Sequence, residues 1–204
     1  VYHSVTHTCL VMLNTAEGCW HGGIDYTQTR IALVAALFHD CCHSNGWEVY
    51  DHFNIGAAVS ALARSSEVSF DGRLSDEDLA KARNIILGTE FPQPTSSYIK
   101  KEMKPLIEIV RLADIMTAYY RRDGEGTGAG RFKLFMGLKA EMELRTNPIR
   151  IGEFIDKQNK FAQQAGTAFS QLRWAKVKYI SQDFPKEFRT AMHELKIYDF
   201  LLHS

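Results

Sequence analysis

The chain has 204 residues, and its 24 Lys and Arg balance 24 Asp and Glu, so the formal net charge is zero. A general nucleic-acid binder needs a basic excess or a basic face to neutralise phosphates, and this balance argues against one. It leaves room for a small anionic ligand, because a bound metal supplies positive charge that residue counting misses. The best apolar run, Ile31–Phe38, is far short of the roughly 20 residues a bilayer span needs, and no signal peptide is visible. The four cysteines, Cys9, Cys19, Cys41 and Cys42, do not make a secreted disulfide framework, and the neighbours Cys41 and Cys42 are not expected to pair. A reducing cytoplasm is the expected compartment, with no membrane partner.

Helical periodicity dominates and strand-like alternation is scarce. The first helix is predicted from about His3 to Asn14, with Val5, Cys9 and Met12 on one side, followed by a loop at Gly18–Asp25. The second spans Thr29 to about Cys41 and is apolar nearly all round, which predicts burial on most faces. A polar loop, Ser44–Tyr50, leads to a helix from Asp51 to about Arg64. Ser75 followed by Asp78 reads as a helix start running to about Leu87, and Pro92 and Pro94 then break the chain. A long helix follows over about Lys101–Arg121, with Pro105 tolerable in its first turn. The stretch "RRDGEGTGAG" reads as a surface loop; it lacks the preceding strand and the Gly-Lys-Ser/Thr ending of a phosphate-binding loop. Helices are predicted again over Phe132–Arg145, Ile149–Ile180 and Lys186 to the end. The expected fold is a single all-α domain, a compact multi-helix bundle.

Six of the eight histidines, His3, His7, His21, His39, His43 and His52, lie in the first 52 residues of the chain. His3/His7 and His39/His43 have the i,i+4 spacing that places two side chains on one helix face. Asp40 follows His39 at the end of the most apolar helix, where an unpaired carboxylate is costly. Asp114 repeats the anomaly inside "LIEIVRLADIMTAYY". Its partner is either Arg111, one turn earlier, or a metal. Imidazoles with carboxylates suit Zn, Fe or Mn, and a carboxylate-rich second site suits Mg or Mn.

The ordered set His3, His7, His39-Asp40, His43 and Asp114 resembles the signature of HD-domain metal-dependent phosphohydrolases. The closer likeness is to the catalytic domain of class I 3′,5′-cyclic-nucleotide phosphodiesterases and their bacterial relatives. "YHSVTH" (Tyr2–His7) is similar to that family's Tyr-His-Asn-x-x-His, and "HDCCH" (His39–His43) to its His-Asp-x-x-His. "IILGTEF" (Ile85–Phe91), "RLADIM" (Arg111–Met116) and "KQNKF" (Lys157–Phe161) resemble its later segments. Ser4 replaces an Asn of the pattern, "HSNG" replaces His-Pro-Gly, and no Ser-Asn-Pro follows Asp114.

The resemblance implies two divalent metals sharing a water or hydroxide. His7, His39, Asp40 and Asp114 would hold the first, typically Zn, and Asp40 would bridge to a second, typically Mg or Mn. His3 would be the general acid, with His43 beside the second metal, through water or as a proton partner. Gln158 would read the edge of a nucleobase and Phe161 would stack on it. Thr89 and Glu90 would support the ligands, although Glu90 reads equally as a solvated helix end. The expected reaction is hydrolysis of a cyclic nucleotide to the 5′-monophosphate. The alternatives are a general HD phosphohydrolase acting on nucleotide monophosphates or another phosphoester, and a non-catalytic signalling module that retains a metal. The start at Val1, without Met, suggests missing upstream residues and leaves room for a regulatory domain there.

Overall fold

The computed structural model describes residues 3–43, 51–65, 74–90, 99–119, 129–144, 148–150, 152–154 and 157. Among the described residues every regular element is a helix and none is a strand, so the chain is all-α there. No described helix is long and apolar enough to cross a membrane. The chain divides into two compact units, His3–Thr117 and Val1–Tyr2 with Ala118–Ser204.

The first unit is built from α1 (Val5–Gly22), α2 (Tyr26–Phe38), α3 (Asp51–Ser65), α4 (Asp76–Gly88) and most of α5 (Lys104–Tyr119). Ser4 starts α1: its hydroxyl accepts the N–H of His7 at 3.3 Å, satisfying a donor that the first turn leaves open. The predicted end near Asn14 is wrong, and the predicted loop from Gly18 is largely helix. The helix runs on to Gly22 and stops where Gly23 takes φ 67°. Gly23 N–H bonds Trp20 O at 3.2 Å and Ile24 N–H bonds Cys19 O at 3.0 Å, the pair of bonds of a left-handed glycine cap.

The side of α1 that carries Val5, Cys9 and Met12 is not its inward face. Val5 is 81% exposed and Cys9 is exposed, whereas His7, Val11, Asn14, Thr15, Gly18 and Cys19 are buried. The reason lies in α5. Asn14 Nδ2 donates to Ala113 O at 3.4 Å and to Thr117 Oγ1 at 3.3 Å, so a buried amide there finds the partners it requires.

Asp25 caps α2 by accepting the N–H of Gln28 at 2.9 Å. α2 packs against α1, α3 and α4, presenting Ile31, Ala32, Ala35 and Ala36 to the core. Within the predicted span, Thr29 to about Cys41, Leu37 is exposed; the helix itself starts earlier, at Tyr26, and ends earlier, at Phe38. The alanines let the neighbouring helices approach, so the core side of α2 is narrow. In α4, Ser75 Oγ accepts the N–H of Asp78 at 3.1 Å, and Asp76, Glu77 and Asp78 set negative charge against the positive end of the helix. Gly88, at the end of α4, lies so close to α5 that a Cβ there would stand 2.6 Å from an Ile107 methyl. Pro105 falls in the first turn of α5, after a short 3₁₀ turn at Lys101–Met103.

In the second unit, α6 (Ala129–Glu143) ends where Glu143 pairs with Lys139 and accepts the N–H of Ile149 at 2.8 Å. Phe154 is fully buried.

Candidate metal centre

Three stretches of sequence deliver four side chains to one place in the first unit. His7 comes from the first turn of α1, His39 and Asp40 from the turn after α2, and Asp114 from α5. One ligand atom from each of the four lies within 4.8 Å of every other. His7 Nε2 stands 3.0 Å from Asp40 Oδ2 and 3.1 Å from Asp114 Oδ1. His39 Nε2 stands 2.9 Å from Asp40 Oδ2 and 3.8 Å from Asp114 Oδ1. The imidazoles are buried, whereas the Asp114 side chain is 34% exposed, so the cluster is closed on its histidine side and open at Asp114.

The backbone sets the tautomer of His39. Its Nδ1 lies 2.7 Å from Ala36 O, and a carbonyl only accepts, so Nδ1 carries the proton. Nε2 then faces the carboxylates with a lone pair available, the arrangement usual for a metal-ligating histidine. His39 Nε2 and Asp40 Oδ2 are buried, and neither has a hydrogen bond of acceptable geometry among the described residues. Two such buried atoms 2.9 Å apart are costly unless a proton or an ion joins them.

These residues fit a metal ion. Two nitrogens and two carboxylate oxygens are a donor set for zinc and its neighbours. Four ligands about 2.0–2.1 Å from a tetrahedral ion lie roughly 3.3 Å from one another, inside the observed spread of 2.9–3.8 Å between histidine and carboxylate atoms. Without an ion the cluster resolves its charges by protonation. Burial alone lowers the pKa of His7, but Asp114 and Asp40 outweigh it and push it up to about 9. His39 follows the same logic and is raised well above its usual value, burial being overcome by Asp40 and Asp114. Burial works against the charged form of Asp114, yet His39 and His7 hold its carboxyl well below the usual range.

The other predicted site residues separate into groups. The spacing of His39 and His43 does not place them on one helix face, because α2 ends at Phe38. Cys42 has φ 67°, which cannot continue a right-handed helix. His43 instead stacks on His3, ring centroids 3.7 Å apart and planes 23° apart. His3 precedes the cap of α1, and its ring meets that of His7 edge-on at 5.5 Å. His21 lies in the last turn of α1 rather than in a loop, 3.9 Å from Glu17. Glu90 is buried, so its reading as a solvated helix end is excluded. Gln158 and Phe161 lie outside the described residues. Asn14 escaped the sequence reading. Its bonds to the α5 turn carrying Asp114 join residues 99 and 103 positions apart, and no local pattern signals such a pairing.

Protein-family models, curated proteins and solved structures were compared with the chain, and none matches it.

Proposed function

We propose that this chain is a metal-dependent phosphoester hydrolase of the HD type, with a 3′,5′-cyclic nucleotide as its substrate. The observation that carries the reading is the convergence of His7, His39, Asp40 and Asp114 on one point. A divalent ion bound there supplies Lewis-acid stabilisation of a phosphoryl oxygen and acidifies a water molecule. The four residues would hold the ion, and Asp40 Oδ2 already lies against both imidazoles. Ala36 O keeps the His39 ring in register through Nδ1, and Asn14 ties α1 to the α5 turn that carries Asp114. The partly exposed Asp114 leaves a side from which a small substrate reaches the centre.

His3 is the proton donor to the leaving oxygen in this reading. It is only half-buried, next to His7 and braced by His43, which suits a group that must exchange protons with solvent between turnovers. Zinc for this cluster and magnesium or manganese for a second position follow from the family likeness. So does the choice of a cyclic nucleotide, through Gln158 and Phe161.

The test is turnover by the purified chain supplied with manganese or magnesium. Cyclic AMP or cyclic GMP should yield the 5′-monophosphate, and Asp114→Ala should abolish it. Turnover of nucleoside monophosphates alone would reassign the substrate. Bound metal without hydrolysis of any phosphoester would overturn the reading in favour of a non-catalytic module.

A further inference from the structure

The turn that follows α2 carries two neighbouring thiols that the proposed hydrolase does not use. Cys41 is half-buried, Cys42 is exposed, and their Sγ atoms lie 4.0 Å apart. Successive side chains of an extended chain point to opposite sides. Here Cys42 adopts φ 67°, the one positive φ of a non-glycine among the described residues. Glycine is the ordinary occupant of that region. The turn is held by Cys41 N–H to Phe38 O at 2.9 Å and His43 N–H to Asp40 O at 3.0 Å. A side chain is therefore kept where glycine would be easier, and it is a thiol beside a second thiol.

Two sulfurs so placed either bond to each other or share an ion, and the distances separate the cases. A disulfide needs about 2.05 Å between sulfurs and usually about 4.4–6.8 Å between Cα atoms. Adjacent Cα atoms across a trans peptide are only about 3.8 Å apart. Closing the bond would strain the turn. Two sulfurs on one ion, with bonds of about 2.3 Å as zinc makes, stand roughly 3.8 Å apart at a tetrahedral angle, so sharing an ion asks far less movement from the 4.0 Å already present than closing a disulfide does. We propose that Cys41 and Cys42 form a two-sulfur site for a soft, thiophilic ion of the cadmium or trivalent-arsenic class.

Thiolates select soft ions, while imidazole and carboxylate take borderline and hard ones. Cys41 directly follows Asp40, so two sites of different softness adjoin along the chain. The thiol site does not depend on the hydrolase reading.

Phenylarsine oxide is the probe. Its arsenic forms two S–As bonds, its oxygen leaves as water with both thiol protons, and arsenic keeps its oxidation state. The full chain is reduced, freed of reductant, treated with the arsenical and weighed by intact-mass spectrometry. One adduct per chain is expected, resistant to washing with a monothiol. It should be lost in both Cys41→Ser and Cys42→Ser and kept in Cys9→Ser and Cys19→Ser. Equimolar cadmium should slow labelling and magnesium should not. Circular dichroism checks each fold; should Cys41→Ser unfold, Cys42→Ser, altered at an exposed side chain, decides alone. An unlabelled wild-type chain, an adduct that survives in either Cys41 or Cys42 variant, or labelling indifferent to cadmium would overturn the proposal.

Discussion

The two histidine pairs of this chain are spaced alike in sequence but delivered by different backbones. His3 and His7 straddle the cap of α1, and only His7 is helical. His39 and His43 lie in the turn beyond α2. Yet each pair divides the same way. His7 and His39 join Asp40 and Asp114, while His3 and His43 stack on each other. The shared spacing thus does not identify the element that carries each pair: a helix cap carries one and a tight turn the other.

The strongest way to break this division is to remove a cluster histidine. His7→Ala or His39→Ala should each weaken divalent-ion binding by at least roughly 100-fold and eliminate turnover, read by calorimetric titration and a phosphoester assay. His43→Ala should leave that affinity nearly intact. Equal losses from all three would erase the distinction.

His3→Ala tests the stacked side. Turnover should fall about 100- to 10,000-fold, the range for removing a general acid, with cluster metal retained by elemental analysis. Loss of the metal would make His3 a ligand.

A pH series separates the metal-free cluster from its loaded form. Burial lowers the pKa of His7, but Asp114 and Asp40 raise it to about 9. With a folded pKa above the unfolded value of about 6.5, this pairing stabilises the metal-free fold fully below pH 6.5. That contribution is lost as pH rises through about 9. An ion must displace the same proton, so metal affinity should rise over that window. Thermal melts should show the metal-free Tm contribution shrinking while the metal-induced increase grows. A metal-induced increase that is flat with pH would contradict the charge assignment.

The smallest effects concern the two delivery devices. Ser4→Ala removes the hydroxyl that caps α1 beside His7 and should cost about 1 kcal/mol in chemical denaturation. Cys42→Gly relieves a left-handed residue worth about 1–2 kcal/mol, but glycine gives back about 0.5–1 kcal/mol in chain entropy. Its net change should be neutral to slightly stabilising. A large destabilisation would show that the Cys42 side chain supports the turn.

Elements closed by local chemistry were legible in the sequence. The start of α4 follows from the Ser75 hydroxyl and the Asp78 N–H, and α3 runs within a residue of its predicted end. α1 was misread because Asn14, Thr15 and Gly18 are poor helix formers, and what holds Asn14 inside a helix comes from α5, 99 residues away. The same distance hid the inward face of α1, which is lined by polar as well as apolar groups. At the candidate site, the residue types and their order pointed to the cluster. The partner of Asp114 did not follow from them, because Arg111 and a metal satisfy the same local pattern; the structure places His7 at 3.1 Å. The end of α2 was missed for a subtler reason, since "HDCCH" carries neither Gly nor Pro, and the left-handed position falls on Cys42.

The central claim is that His7, His39, Asp40 and Asp114 hold a metal ion together. Anomalous diffraction from crystals grown with zinc or manganese, collected at the absorption edge of that metal, tests it most directly. The account predicts a peak within bonding distance of His7 Nε2, His39 Nε2 and a carboxylate oxygen of each aspartate. A cluster without a peak, in crystals of protein that retains metal and hydrolyses phosphoester, would contradict it.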